Sequence, residues 1–361
     1  MQFGIFTIVP YHQDFTPPQA LNDALEQIRF ADEAGLDEAW LGEHRFSRHG
    51  LLSGIWSFLG AVAGSTKQIR IGTAVIVLPL HNPVLVAEEV AMLDVISGGR
   101  INFGIGAGYQ RQEFDGVGVD IDTSRDRFQE AVDVMIKAWT EETLTFHGKY
   151  TNVDDVWVLP KPVQKPYPPL FQAVSTSPAS IDFAASRNIQ VITGGPTDIL
   201  GQAPQVIKLW REKMDEYGHP HAHLDPPMSK SIYVAPTMEE AERDPIGLED
   251  FSSRVLRSIG SNGAPIGMPM DKDGNIAKGY EHWANRQADR DRRDDVGHAG
   301  LPPLRGTPEV VAERLKEVQA AGINHVFGNF GFAGLPHHKV MRSIELFATE
   351  VMPHFQEAAV A

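Results

Sequence analysis

Apolar runs and amphipathic stretches alternate along this chain almost from its first residue. "FGIFTIV" reads as a buried strand. Thr16 then offers a helix N-cap ahead of Pro17, and Leu21, Ala24, Leu25, Ile28 and Ala31 recur at helical spacing until Gly35 ends the helix. "DEAWLGEH" predicts the next strand, "GIWSFLGAVAGST" a helix, "IRIGTAVIVLP" a strand, "NPVLVAEEVAMLDVIS" a helix and "RINFGIGAG" a strand. Strands that are apolar throughout, separated by helices, imply a parallel sheet covered on both faces.

The alternation breaks near residues 143–168, where "LTFHGKYTNVDDVWVLPKPVQKPYPP" combines alternating residues with prolines and predicts an inserted hairpin. It then resumes with the strands "LFQAVS", "IQVITGG", "SKSIYVAP" and "NHVFGNF", and with the helices "SPASIDFAASRN" and "GQAPQVIKLWREKMDEYG". About eight strand–helix repeats favour an α/β fold of the closed (β/α)8 TIM barrel type with insertions, over an open doubly wound sheet. All 361 residues are expected to form a single barrel domain. Residues 260–303 lack periodicity, carry a dense mixed-charge run and include the aromatics Tyr280 and Trp283, so they read as a mobile lid loop or a solvated linker.

Composition narrows the chemistry. A net charge of −15 argues against a phosphate-backbone partner, so no nucleic acid is expected. With no cysteine, thiolate nucleophiles and cysteine metal sites are excluded, and redox chemistry would need a bound cofactor. His219, His221 and His223 alternate in a proline-rich turn without a metal-binding helix frame, so no metal site is assigned. No apolar run reaches the roughly 18 residues of a membrane span, and the amino terminus lacks signal-peptide features. A cytoplasmic protein away from membranes is the expectation.

In a barrel of this type the chemistry sits at the carboxyl ends of the strands. Those positions hold Glu43, His44 and Arg45 after the second strand, Pro79 to Asn82 after the third and Gly106 to Arg111 after the fourth. Ser175, Thr176, Ser177 and Ser180 follow the fifth, and Thr193 to Gly195 the sixth. The glycines of "GIGAGY" are spaced G-x-G-x-G, which does not match the dinucleotide fingerprint. Ser177 before Pro178 would leave free N–H groups beside hydroxyls, which suits an anion or an ordinary N-cap. Arg125 could reach a phosphate or pair with Asp122 or Asp126.

Three separated blocks, "AGLDEAWLGEHRF", "IGTAVIVLPLHNPVLVAEEVAMLDVISGGRINFGIGAGY" and "GAGYQRQEFDGVGVDIDTSRDRFQEAVDVMIKAWTEETLTFHGKY", resemble in order and spacing the bacterial luciferase-like flavin-dependent monooxygenases. "KGYEHWANRQADRDRRDD" falls where luciferase has its mobile loop. The resemblance implies an FMN-dependent monooxygenase in which FMN, taken up as FMNH2 from a separate flavin reductase, reacts with O2 to oxygenate an aldehyde or similar small organic substrate. It places flavin contacts at Ala74 and Val75, joined by a non-proline cis peptide, at Gly106, Ala107, Gly108 and Tyr109, at Arg125 for the phosphate, and at Ser175, Thr176, Ser177 and Ser180. It places the active-site histidine at His44, whose other reading is a barrel-mouth residue tied to Glu43. Ala107 stands where relatives often carry a second phosphate-binding arginine. Gly106 stands at the luciferase reactive-cysteine position, which argues against long-lived light emission.

Two other readings fit the same pattern: hydride transfer with deazaflavin F420, and a flavin-binding barrel without turnover. The resemblance leaves the substrate unnamed. The helix "NPVLVAEEVAMLDVIS" is apolar over more than one stripe, which predicts a homodimer formed through residues 54–66 and 83–97.

Overall fold

The first apolar run forms β1 (Gln2–Thr7), and α1 (Pro17–Glu33) begins where its capping signals place it, with the Thr16 side chain accepting from the Gln19 N–H. The computed structural model describes residues 1–194, 202–246, 248, 255, 270–281, 304–331 and 333–355. After α1 come β2 (Glu38–Leu41), α2 (Ile55–Ser65), β3 (Arg70–Thr73), β4 (Ile76–Val77), α3 (Pro83–Ser97), β5 (Ile101–Gly106), α4 (Arg111–Val117) and α5 (Ser124–Thr140). An antiparallel pair, β6 (Leu144–His147) and β7 (Asn152–Val156), stands apart from the main sheet. The chain continues through β8 (Leu170–Ala173), α6 (Pro178–Ser186), β9 (Gln190–Gly194), α7 (Ala203–Glu216), β10 (Met228–Val234) and α8 (Met238–Arg243). It ends with β11 (Leu304–Gly306), α9 (Pro308–Ala320), β12 (His325–Asn329) and α10 (His337–Leu346).

Parallel pairing runs β1–β2–β3–β5–β8–β9–β10–β12 and returns from β12 to β1, so eight strands close into a (β/α)8 barrel. The stretch read as one strand, "IRIGTAVIVLP", is two: β3 pairs with the start of β5 and β4 with its end, and the Ala74–Val75 peptide between them is cis. Among the described residues no helix is long and apolar enough to cross a membrane. Of the segment 260–303, only residues 270–281 are described; Trp283 lies outside the described residues.

Charge plugs the amino-terminal end of the barrel. Glu38 accepts from Trp40 Nε1 at 2.6 Å, Asn102 Nδ2 at 2.7 Å and His325 Nε2 at 2.7 Å. The other His325 nitrogen faces the Asp225 carbonyl at 3.1 Å, so both ring nitrogens must donate and the ring is an imidazolium. Burial opposes both charges, yet their mutual attraction and hydrogen bonds hold Glu38 below and His325 above their ordinary values. Above this plug lies a buried aromatic layer. Trp40 stacks on Phe327 at 5.2 Å and meets Phe171 edge-on, with Ile192, Phe6 and Ala74 beside them. The layer forms a floor for the carboxyl-terminal mouth.

Candidate active site

Glycine brings β2 and the strand break into contact. A Cβ on Gly42 would stand 2.9 Å from the Ala74 carbonyl oxygen, and the next residue, Glu43, donates its N–H to Val75 O at 3.3 Å. The buried Glu43 carboxylate accepts from Val77 N at 3.1 Å, from His81 Nε2 at 2.9 Å and from Arg45. Burial raises its pKa, but these donors, His81 first, carry it below the ordinary carboxylate value. Glu43 is therefore a tie between the β2 and β4 loops. It does not hold His44, which corrects the alternative of a histidine tied to Glu43.

His44 is held instead by α4. Its Nδ1 lies 3.1 Å from Oε1 of Glu113, a buried carboxylate that also accepts the Arg45 N–H at 2.9 Å. The Gln110 side-chain amide lies 3.0 Å from the same Nδ1. A single Nδ1 cannot donate to Glu113 and accept from Gln110. The carboxylate can only accept, so Nδ1 carries the proton and the Gln110 amide turns its oxygen to the ring. The lone pair is then on Nε2, which makes no hydrogen bond among the described residues. That tautomer gives His44 a free basic nitrogen.

The His49 ring packs against His44, with centroids 4.4 Å apart. Burial, with His44 as second cause, pulls the His49 pKa down to about 3. His49 is thus a neutral wall behind the candidate base.

Across the mouth, the starts of α5 and α6 meet. Arg125 Nη1 donates to Ser180 Oγ at 2.8 Å, and Ser177 caps α6 by accepting the Ser180 N–H. Neither Asp122 nor Asp126 pairs with Arg125: Asp122 accepts from Lys278 N and Asp126 from Lys149. Arg125 Nε is buried without a partner among the described residues. Ser175 and Thr176 line a small cleft with Thr193, Gly194 and Gln202, onto which the first turn of α7 also opens; Gly195 lies outside the described residues. One guanidinium and the hydroxyls of Ser177 and Ser180 therefore meet at the amino terminus of α6, beside the cleft of Ser175 and Thr176, a donor set suited to a phosphate dianion.

The glycine turn sits between these halves, though its glycines face inward. A Cβ on Gly106 would meet Val75 Cγ2 at 2.7 Å, and one on Gly108, whose φ is +77°, would meet Val77 Cγ1 at 2.6 Å. Their immediate task is to let the β5 loop pack on residues 75–77. Ala107 and Tyr109 remain partly accessible, and the Tyr109 hydroxyl lies 3.3 Å from the Gln110 amide. Among the histidines of the proline-rich turn, His221 pairs with Asp215 and His219 faces the Ser186 carbonyl.

Glu113 is not legible as a site residue, while Gln110 falls within the strand-end stretch Gly106 to Arg111 and Tyr280 within the lid segment, neither with a partner assigned. The first two lie three positions apart at the start of α4, a spacing that puts both on one helix face. Nothing in the sequence says that this face meets His44.

Comparison with known proteins agrees with this architecture. The family model described as "Luciferase-like monooxygenase" matches residues 1–325. The alkanal monooxygenase alpha chain of the Kryptophanaron alfredi symbiont is 27% identical over 99% of both chains. An uncharacterised protein of Sinorhizobium fredii is 34% identical over 49% of this chain and 51% of its own. Among solved structures, a monooxygenase from Streptomyces bottropensis superposes with a TM-score of 0.82 at 25% identity, covering 99% of this chain and 100% of the other. Two more distant structures share the fold. The oxygenating constituent of the 3,6-diketocamphane monooxygenase of Pseudomonas putida, in complex with FMN, has a TM-score of 0.79 at 22% identity over 98% of both chains. An F420-dependent secondary alcohol dehydrogenase has 0.72 at 21% over 99% of both.

Proposed function

This chain belongs to the luciferase-like monooxygenase family, and from that premise we propose that it is a flavin-dependent monooxygenase that uses reduced FMN and O2 to oxygenate an aldehyde or similar small organic substrate. The observation that carries the reading is the pairing, at one barrel mouth, of the Arg125–Ser180 donor set with His44 held by Glu113. The residues fit the cofactor's anionic end. Among the described residues the buried Nε of Arg125 has no partner, and the side chain reaches Ser180 at the capped start of α6 and no carboxylate.

Bound FMN in its reduced form supplies the two electrons that let one oxygen atom pass to the substrate and the other leave as water. The chain's own residues bind, orient and exclude. Arg125, Ser175, Thr176, Ser177 and Ser180 hold the phosphate, while Ala74, Val75 and the turn Gly106, Ala107, Gly108 and Tyr109 seat the ring. The aromatic floor around Trp40 keeps water out from below. His44 takes a proton at Nε2, the nitrogen that its bond to Glu113 leaves as acceptor. A separate flavin reductase would deliver the reduced cofactor, and a homodimer in the cytoplasm is the working assembly.

Loading the protein with FMN, riboflavin or F420 tests the cofactor. Isotope-labelled O2 with reduced FMN and an aldehyde series tests the reaction. Label in the product supports the reading. Hydride transfer with F420 and no O2 uptake would replace it with a dehydrogenase, and binding of FMN without turnover would leave a carrier. Replacing Arg125 with alanine should weaken FMN by about 10- to 150-fold and leave riboflavin unchanged, the value of one charge-assisted bond of about 1.5–3 kcal/mol. Equal loss for both ligands would place Arg125 away from the phosphate.

A further inference from the structure

Residues 270–281 form a strap laid over the starts of α4 and α5. Arg111 Nη1 donates to the Met270 carbonyl at 3.5 Å, and the Lys278 N–H donates to Asp122 Oδ1 at 2.9 Å. Ala277 and Tyr280 are buried with Val77, Phe114 and Ile121. The Tyr280 hydroxyl donates to the Gly108 carbonyl at 2.5 Å and stands 3.2 Å from Ser124 Oγ; since the tyrosine proton goes to the carbonyl, Ser124 is the donor in that second bond.

This strap holds Arg125. The guanidinium carbon lies over the Tyr280 ring, 4.9 Å from its centroid. Gly279, at φ +85°, runs so close that a Cβ there would stand 2.2 Å from Arg125 Cδ and Nε. On its other side Arg125 reaches Ser180 Oγ at 2.8 Å. The side chain is a plate clamped between the strap and the first turn of α6, and the strap's hydroxyl ties the same clamp to the glycine turn.

We propose that Tyr280 is a positioning residue for Arg125: its ring holds the guanidinium against Ser180, ready for a phosphate monoester, so that docking of the strap and phosphate binding strengthen each other. This rests on the assignment of Arg125 to the FMN phosphate. A purely apolar filler at residue 280 would satisfy Val77, Phe114 and Ile121 equally well, but only an aromatic face attracts the cation. The coupling is reciprocal: whatever factor the docked strap adds to phosphate affinity, the phosphate returns to strap docking.

The test uses the full chain and equilibrium binding of FMN and riboflavin, with amide hydrogen exchange across residues 277–281 as a readout independent of turnover. Tyr280→Leu should weaken FMN by about 3- to 30-fold, the range of a cation–π contact, and leave riboflavin unchanged. Tyr280→Phe, which keeps the face and loses the hydroxyl, should retain most of the FMN preference. In the unaltered chain FMN should slow exchange at residues 277–281 where riboflavin does not, and Arg125→Ala should abolish that difference. If Arg125→Ala removes the FMN preference while Tyr280→Leu leaves it intact, or if strap exchange ignores FMN, the positioning role is overturned and the phosphate assignment stands. If Arg125→Ala has no selective effect, both fall. Should Tyr280→Leu fold poorly, Tyr280→Phe and exchange in the unaltered chain still decide.

Discussion

His44 and Glu113 act as one unit in this reading, because the carboxylate fixes which ring nitrogen carries the proton. Glu113→Leu should lower substrate oxygenation by roughly 10²-fold or more with cofactor binding unchanged, the low end of what a positioned base contributes. Glu113→Gln, which keeps an acceptor oxygen, should recover part of that rate. The double variant with His44→Ala should be no worse than His44→Ala alone; costs that add would show two independent roles. His49 makes a separate prediction about stability. Burial keeps its imidazole neutral down to a pKa of about 3, while in the unfolded chain it takes a proton near pH 6.5. Between those values the unfolded state binds the extra proton, so this contribution is full above pH 6.5 and falls as pH drops, by on the order of 4 kcal/mol at pH 3. His49→Asn should flatten the acid side of a plot of urea midpoint against pH. An unchanged slope would mean that His49 protonates freely in the folded chain.

At the level of elements, the sequence is most readable where the signal is local. Thr16 and Pro17 announce α1, Asn82 and Pro83 announce α3, and the apolar runs locate the barrel strands, because capping and periodicity act within one turn or one strand. The division of β3 from β4 escapes because the residues stay apolar across the break. Glu113 escapes because its partner is 69 residues away, and helix periodicity cannot say what a buried carboxylate meets. Tyr280 is visible only as an aromatic of a lid loop or linker, because a segment without periodicity marks no core positions, yet two of its residues are core. This changes what excision should do. With a solvated lid, replacing 260–303 by a Gly-Ser link would leave FMN affinity unaltered; with Tyr280 and Gly279 against Arg125, the same excision should weaken FMN, whereas one that spares 270–281 should not. Water admitted by either excision would divert reducing equivalents to H2O2, so H2O2 per FMNH2 consumed should rise while product falls. An unchanged yield in both would make the whole segment a linker.

At the scale of the whole molecule, the outer face of α3 is an apolar surface that the barrel does not explain. The inner face of α3 buries Val86, Val90, Ala91 and Leu93, and Trp139 Nε1 from α5 bonds to the Ala87 carbonyl. The outer face exposes Leu85 at 55%, Met92 at 48%, Val95 at 43% and Ile96 at 55%. A helix that covers a barrel needs one apolar stripe, and this one has two. A second copy of the chain offers the matching face by symmetry, since in a two-fold dimer each patch meets its own equivalent. Charge sets the conditions, because each chain carries −15 and two copies repel until salt screens them. The dimer should therefore tighten as salt rises, the reverse of an assembly held by ion pairs. Ile96→Glu alters the interface twice per dimer and forfeits about 1.5–3 kcal/mol at each site, so Kd should rise by roughly 10²-fold or more while far-ultraviolet circular dichroism stays unchanged. Sedimentation at micromolar concentration and two salt levels measures this. A monomer for the unaltered chain at both levels would show that the outer face of α3 serves no copy of this protein.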